Sequence, residues 1–218
     1  MVSVKTVAAS CLDKSGTLSI REDVLGVYAN DNPQSRSLRT RLDLIQNKPF
    51  VKVALVTIEG ANPTLQRDLD TANEIYQRDC DAWVYPVDSV TVDNPGLLIL
   101  SQDDCRSSGH SVSSEEDELF DIGRNLGADV VGYYINSSSG GFAGCAAHPP
   151  GRRGFWSGAS ASPRTWAHEL THVVGDNSHV SSSDNLMSTP TANITNLPAD
   201  LSNSQCDDIL ADPDMESC

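Results

Sequence analysis

His168-Glu169-Leu170-Thr171-His172-Val173-Val174-Gly175-Asp176-Asn177-Ser178-His179 gathers three of the chain's five histidines into twelve residues. The pattern around it is helical. Ser162 is a candidate N-cap, Pro163 sits in the first turn, and Trp166, Leu170, Val173 and Val174 recur as an apolar stripe, which together predict a helix over Pro163 to Val174. On such a helix His168 and His172 project from one face one turn apart, so both imidazoles can reach a single Zn2+ at about 2.0 to 2.1 Å. Glu169 beside them is placed to hold a water on the metal and take its proton. An HExxH string alone is often an amphipathic helix with solvent-facing histidines, so the residues that follow it decide the matter.

Two histidines leave a catalytic zinc short, because such sites usually keep three protein ligands and one open position. Gly175 is where the helix should end: a left-handed residue there turns the chain sharply, and His179 beyond the turn can swing back to the ion. Asp176 is the alternative, a carboxylate able to bind zinc. In this order the residues resemble the metzincin metalloendopeptidases, whose pattern is HExxHxxGxxH followed by a Met-turn. Asn185-Leu186-Met187-Ser188 is similar to that turn, and the resemblance makes Met187 the apolar floor beneath the metal. This chain departs from the pattern twice. The family's third ligand would fall on Ser178, whereas His179 lies one residue further on, and Ser188-Thr189-Pro190 stands where the family often has a tyrosine. A loop absorbs one extra residue more readily than a helix does, which favours His179 over Asp176.

The resemblance implies a secreted zinc endopeptidase that hydrolyses peptide bonds with zinc-activated water. Zn2+ polarises the scissile carbonyl, and Glu169 accepts the water proton and later passes it to the leaving amine. By the same resemblance a small-residue edge strand, Gly141 to Ala147, takes the substrate as an added antiparallel strand, so that Phe142, Ala143, Gly144 and Cys145 contact the peptide. The segment from about Ser188 to Leu197 would wall the pocket for the residue after the cut. The implied fold is α/β (α+β): a metzincin-like zincin with a twisted mixed sheet, an active-site helix, a backing helix and a small C-terminal subdomain after Gly175.

Further from the motif, Val51 to Ile58 is β-branched and apolar, as a strand buried on both faces would be. Asn62 as a cap and Pro63 in the first turn open a helix to Asp79, with Leu65, Leu69, Ala72 and Ile75 on its inner face. Strands are expected over Ala82 to Val92, Gly96 to Leu100 and Asp129 to Ile135, with a helix over Glu115 to Leu126. A last helix is expected over Ser202 to Asp212, with Leu201, Ile209 and Leu210 inward. Residues 1–48 read as an accessory segment or pro-segment remnant. Residues 49–218 read as the catalytic domain, its upper part 49–175 and its lower part 176–218.

At 218 residues the chain suits one domain with a short appendage. Its 15 basic against 30 acidic residues, a formal net charge of −15, argue against nucleic acid or an anionic membrane as a partner. No apolar run approaches the roughly 20 residues of a membrane-spanning helix. The expected partners are protein or peptide substrates, and the chain should act as a monomer. Six cysteines without a CxxC pair read as disulfides, with Cys206 and Cys218 a short-loop candidate, and point to an oxidising compartment. Met1 to Ser10 shows no signal peptide, so the extracellular location is inferred from the cysteines and the resemblance. His110 and His148 read as surface residues of polar loops. Asp103-Asp104 and Glu115-Glu116-Asp117 lack the spaced ligands of a Ca2+ loop and read as a solvated face. Two rivals remain: a disulfide-stabilised secreted binding protein with a non-catalytic metal site, and a zinc hydrolase of non-peptide bonds.

Overall fold

The computed structural model describes residues 48–103, 105 and 112–217. The expected accessory segment, all but Lys48, lies outside them, as do Cys11, His110 and Cys218. The centre of the fold is the strand β1 (Phe50–Ile58), whose residues are buried throughout except at Lys52. Its side chains alternate between two cores. Val51, Val53 and Leu55 face one, and Ala54, Val56 and Ile58 face the other, as a strand covered on both sides requires.

Helix α1 (Leu65–Cys80) follows, then β2 (Trp83–Val92), which pairs parallel to β1. The helix begins two residues later than expected. Thr64, not Asn62, occupies the cap position, and its hydroxyl bonds the Asp68 carboxylate at 2.8 Å in place of the backbone. Strand β2 lies at the sheet edge and carries Pro86, which has no N–H to donate; the register with β1 slips between Val53 and Ala54 at that point. The strand expected over Gly96 to Leu100 is shorter. Pro95–Leu97 forms a 3₁₀ turn first, leaving β3 (Ile99–Leu100), which pairs with β5 (Ser137–Ser138) in a separate two-stranded sheet.

Helix α2 (Ser114–Ile122) opens with a capping box between Ser113 and Glu116, and its last turn tightens to 3₁₀ over Gly123–Asn125. Strand β4 (Val130–Tyr134) is fully buried and parallel to β1. Strand β6 (Gly144–Cys145) occupies only two residues of the longer edge strand expected there, and it runs antiparallel to β7 (Gly154–Ser157). Strand β7, which the sequence pattern did not disclose, sits between β4 and β6 and completes the order β2-β1-β4-β7-β6. Helices α3 (Thr165–Val173) and α4 (Asn203–Leu210) finish an α/β fold with a mixed, mostly parallel sheet and four helices among the described residues.

Helices α1, α3 and α4 share one core with one face of the sheet, while α2 covers the other face. Gly132 lets α3 settle on β4: a Cβ there would lie 3.0 Å from Trp166 Nε1, and the Trp166 ring instead meets Phe155 edge-on at 4.9 Å. Leu201 and Ile209 point inward as expected, but Leu210 is 39% exposed. Cys206 pairs with Cys80, tying α4 to α1, so the short-loop pairing with Cys218 is wrong. The local spacing suggested a neighbour in sequence, and the helix packing supplied a partner 126 residues away. A second disulfide joins Cys105 to Cys145. No helix is long and apolar enough to cross a membrane among the described residues.

Candidate metal centre

Helix α3 is buried along nearly its whole length, with Trp166, Ala167, Leu170 and Val173 in the core. It starts at Thr165, later than the expected Pro163, because residues 162–165 form a turn closed by a bond from Thr165 N to Ser162 O at 3.0 Å. Arg164, not Ser162, occupies the N-cap position and makes no side-chain cap bond; the Ser162 hydroxyl accepts from Arg164 N at 3.3 Å in the turn that precedes the helix. At the other end Val174 is extended, and Gly175 (φ +94°) and Asp176 (φ +50°) are both left-handed. Two consecutive left-handed residues reverse the chain. Gly175 is required there for a second reason as well: a Cβ would stand 2.8 Å from the backbone nitrogen of Ile209 in α4.

Beyond this turn the segment is tied to the one carrying Met187, Val180 N donating to Met187 O at 3.0 Å. His179 is thereby brought over α3. The Nε2 atoms of His168, His172 and His179 form a nearly equilateral triangle, 3.1 Å from His168 to His172, 3.1 Å from His168 to His179 and 2.9 Å from His172 to His179. Asp176, the alternative ligand, is exposed and lies outside this group. Met187 is fully buried in the core that also holds Trp166 and Leu170.

The other ring nitrogens are fixed. His168 Nδ1 donates to the Leu186 carbonyl at 2.7 Å, and His172 Nδ1 donates to the Asn177 carbonyl at 2.5 Å. Burial lowers both rings, His168 to about 3 and His172 to about 4, with the neighbouring histidines adding to the fall; burial lowers His179 too. Both rings are therefore neutral, and with their protons on Nδ1 the two facing Nε2 atoms present lone pairs to each other. Two lone pairs at 3.1 Å make no hydrogen bond, and a cation between them removes the conflict. Ligand atoms about 2.05 Å from a tetrahedral ion stand about 3.3 Å apart, close to the separations seen here. The residues present thus fit a divalent metal. Among the described residues no further His, Cys, Asp or Glu joins the three.

Glu169 is 8% exposed, and its carboxylate has no hydrogen-bond partner among the described residues; burial pushes it up to about 8. Its side chain lies against β6. A Cβ on Gly144 would be 2.8 Å from Glu169 Cγ and 2.9 Å from Oε1, and 2.8 Å from the Thr165 methyl. The edge strand and the metal helix therefore meet through the absence of a side chain at Gly144.

The other edge-strand residues are placed differently from one another. Phe142 is partly buried against the second core, Ala143 accepts at its carbonyl from Gly158 N at 2.9 Å, and Cys145 is buried and disulfide-bonded, leaving only its backbone to offer a peptide. Cys105, Glu116 and Cys145 also cluster, but the disulfide occupies both sulfurs and the Glu116 carboxylate accepts from Trp156 Nε1 at 3.1 Å. Asp103, expected on a solvated face, accepts from Gly140 N at 2.8 Å, and Glu116 is buried as part of its capping box. His148, expected on the surface, is buried with its ring against Pro149 O at 3.2 Å. The carbonyls of Leu186 and Asn177, which orient two imidazoles, had no signature in the sequence, since any residue supplies a carbonyl.

No family model and no curated protein matches the chain. Among solved structures, a chain from a chaperone–substrate complex is similar with a TM-score of 0.48 and 15% identity over 67% of this chain, which spans 28% of that one. Archaemetzincin from Methanopyrus kandleri is similar with a TM-score of 0.46 and 17% identity, over 72% of this chain and 92% of the other.

Proposed function

We propose that the chain is a zinc-dependent endopeptidase in which His168, His172 and His179 hold the metal and Glu169 is the general base. The observation that carries the proposal is the convergence of three imidazole nitrogens, with the His168 and His172 rings neutral, next in sequence to a buried carboxylate that has no hydrogen-bond partner among the described residues. Zinc bound there would supply a Lewis acid for the scissile carbonyl and for the developing oxyanion. Glu169 takes the proton of the attacking water and returns it to the leaving amine. Its burial suits that task, because a desolvated carboxylate holds a proton more firmly than one in water, and among the described residues no competing hydrogen bond has to break. Leu186 O and Asn177 O keep the His168 and His172 rings turned with Nε2 toward the site. Strand β6 ends the sheet, with no strand on its outer side among the described residues, so an extended peptide would pair there with its backbone while Gly144 keeps the approach to Glu169 close.

A structural metal site in a binding protein would be closed by a fourth protein ligand. The three-histidine group without a fourth ligand among the described residues favours the catalytic reading. The disulfides Cys80–Cys206 and Cys105–Cys145 support the reading of an enzyme that works in an oxidising, extracellular setting. The test is cleavage of casein by wild type and by Glu169→Gln, each with and without a zinc chelator. Wild type should cut, the chelator should abolish cutting, and Glu169→Gln should lower the rate by about 10²- to 10⁴-fold while retaining its zinc. Equal rates for the two proteins would remove Glu169 from the mechanism. Hydrolysis of esters without any of peptides would move the function to non-peptide bonds.

A further inference from the structure

We propose that Gln205, on the C-terminal helix α4, is a positioning residue for the metal centre, setting the two backbone carbonyls that hold His168 and His172; this rests on the reading of the three histidines as a zinc site. Gln205 is 6% exposed. Its side-chain amide makes a reciprocal pair with that of Asn185: Asn185 Nδ2 donates to Gln205 Oε1 at 2.8 Å, and Gln205 Nε2 donates to Asn185 Oδ1 at 3.2 Å. Asn185 Oδ1 also accepts from Met187 N at 2.9 Å, so the amide pair fixes both sides of Leu186. The Leu186 carbonyl is the one that receives the His168 Nδ1 proton.

The second arm runs from the backbone of the same residue. Asn177 Nδ2 donates to Gln205 O at 3.4 Å, and the Asn177 carbonyl receives the His172 Nδ1 proton. One residue of α4 thus touches both segments that orient the imidazoles. Helix α4 can act as a fixed reference because Cys206, the next residue, is tied to Cys80 of α1, and α1 bonds α3 through Tyr76 OH and Thr171 Oγ1 at 3.0 Å. Gln205 has a further duty in the cap of its own helix, where Oε1 accepts from Ser202 N at 2.8 Å and Gln205 N donates to Ser202 Oγ at 3.3 Å. A test must separate the cap from the link to the metal.

The experiment is zinc affinity of the full chain, measured by competition with a chelating indicator, alongside the unfolding temperature of the metal-free protein. Gln205→Met keeps the length of the side chain and removes its amide hydrogen bonds to Asn185 and Ser202 while leaving the backbone acceptor for Asn177; it should weaken zinc about tenfold, as loss of groups that orient metal ligands typically does. Asn177→Ala should do the same through the other arm. Gln205→Glu keeps the acceptor for Ser202 N and Asn185 Nδ2 and loses only the donor to Asn185 Oδ1, so its loss should be about threefold, and it serves if Gln205→Met does not fold. Ser202→Ala should lower the unfolding temperature through the cap and leave zinc affinity within about twofold. The proposal is overturned if Gln205→Met and Gln205→Glu bind zinc as wild type does, or if Ser202→Ala weakens zinc as much as they do. Wild type that takes up no zinc overturns the metal-site reading itself, a result told apart because no variant enters it.

Discussion

Glu169 and Gly144 show how much of the candidate chemistry depends on single atoms. The carboxylate is held in a desolvated slot between the metal helix and the edge strand, and the slot exists because Gly144 has no Cβ. Gly144→Ala would force Glu169 and Thr165 aside, since the added carbon would stand 2.8 Å from each. A displacement of this kind at a general base is expected to lower kcat/KM about 10- to 100-fold with little change in zinc content. Steady-state hydrolysis of a peptide by the variant checks this, and wild-type activity would show that the contact is slack. Glycine at 144 was legible in the sequence as part of a small-residue strand. Its role as the wall behind Glu169 was not, because that depends on a contact between residues 25 positions apart in sequence.

At the scale of elements, the helix that carries His168 and His172 was readable because its apolar stripe and a terminating glycine agree, while its start was not, since Ser162 and Pro163 fall in a turn before Thr165. Its neighbours were readable in kind and less so in extent: β1 stands out as a nine-residue run rich in β-branched residues and β4 as a shorter apolar one, whereas the four residues of β7 are too few to show a period. Cys206 pairing with Cys80 was hidden for the same reason as the Leu186 and Asn177 carbonyls, since helix packing decides it. The turn after α3 is braced from outside. Arg153 donates to the Val173 carbonyl and makes a two-pronged pair with Asp212 at 2.7 and 2.8 Å, while Asp212 Oδ2 accepts from Gly175 N at 2.9 Å. Burial alone would raise the Asp212 carboxyl, but Arg153 and the N–H groups of Asp214 and Gly175 outweigh it and pull it below the ordinary 3.8. A depressed folded value means the stabilisation is present above the unfolded value and is lost as pH falls through the folded one. Asp212→Asn should therefore lower stability by about 3 kcal/mol at neutral pH, and its gap from wild type should narrow below about pH 4. Urea unfolding at pH 7 and pH 3 measures both quantities, and a gap that widens in acid would contradict the assignment.

For the molecule as a whole, the sheet separates two cores, and the metal helix belongs to the one that α1 and α4 complete. The Cys80–Cys206 disulfide closes that layer across 126 residues. Replacing both cysteines by serine should destabilise the fold by about 3 to 5 kcal/mol, read as a fall in the urea midpoint, and an unchanged midpoint would mean that packing alone holds α4 in place. Metal binding should add stability by mass action, since the triangle of nitrogens exists only in the folded chain. The most direct measurement of the central claim is the zinc content of wild type and His179→Ala after equilibrium dialysis against a limiting zinc buffer. One zinc per wild-type chain, with affinity reduced at least about 100-fold in His179→Ala, is the predicted result. Zinc binding unaffected by His179→Ala, or no zinc on the folded wild type, would contradict it.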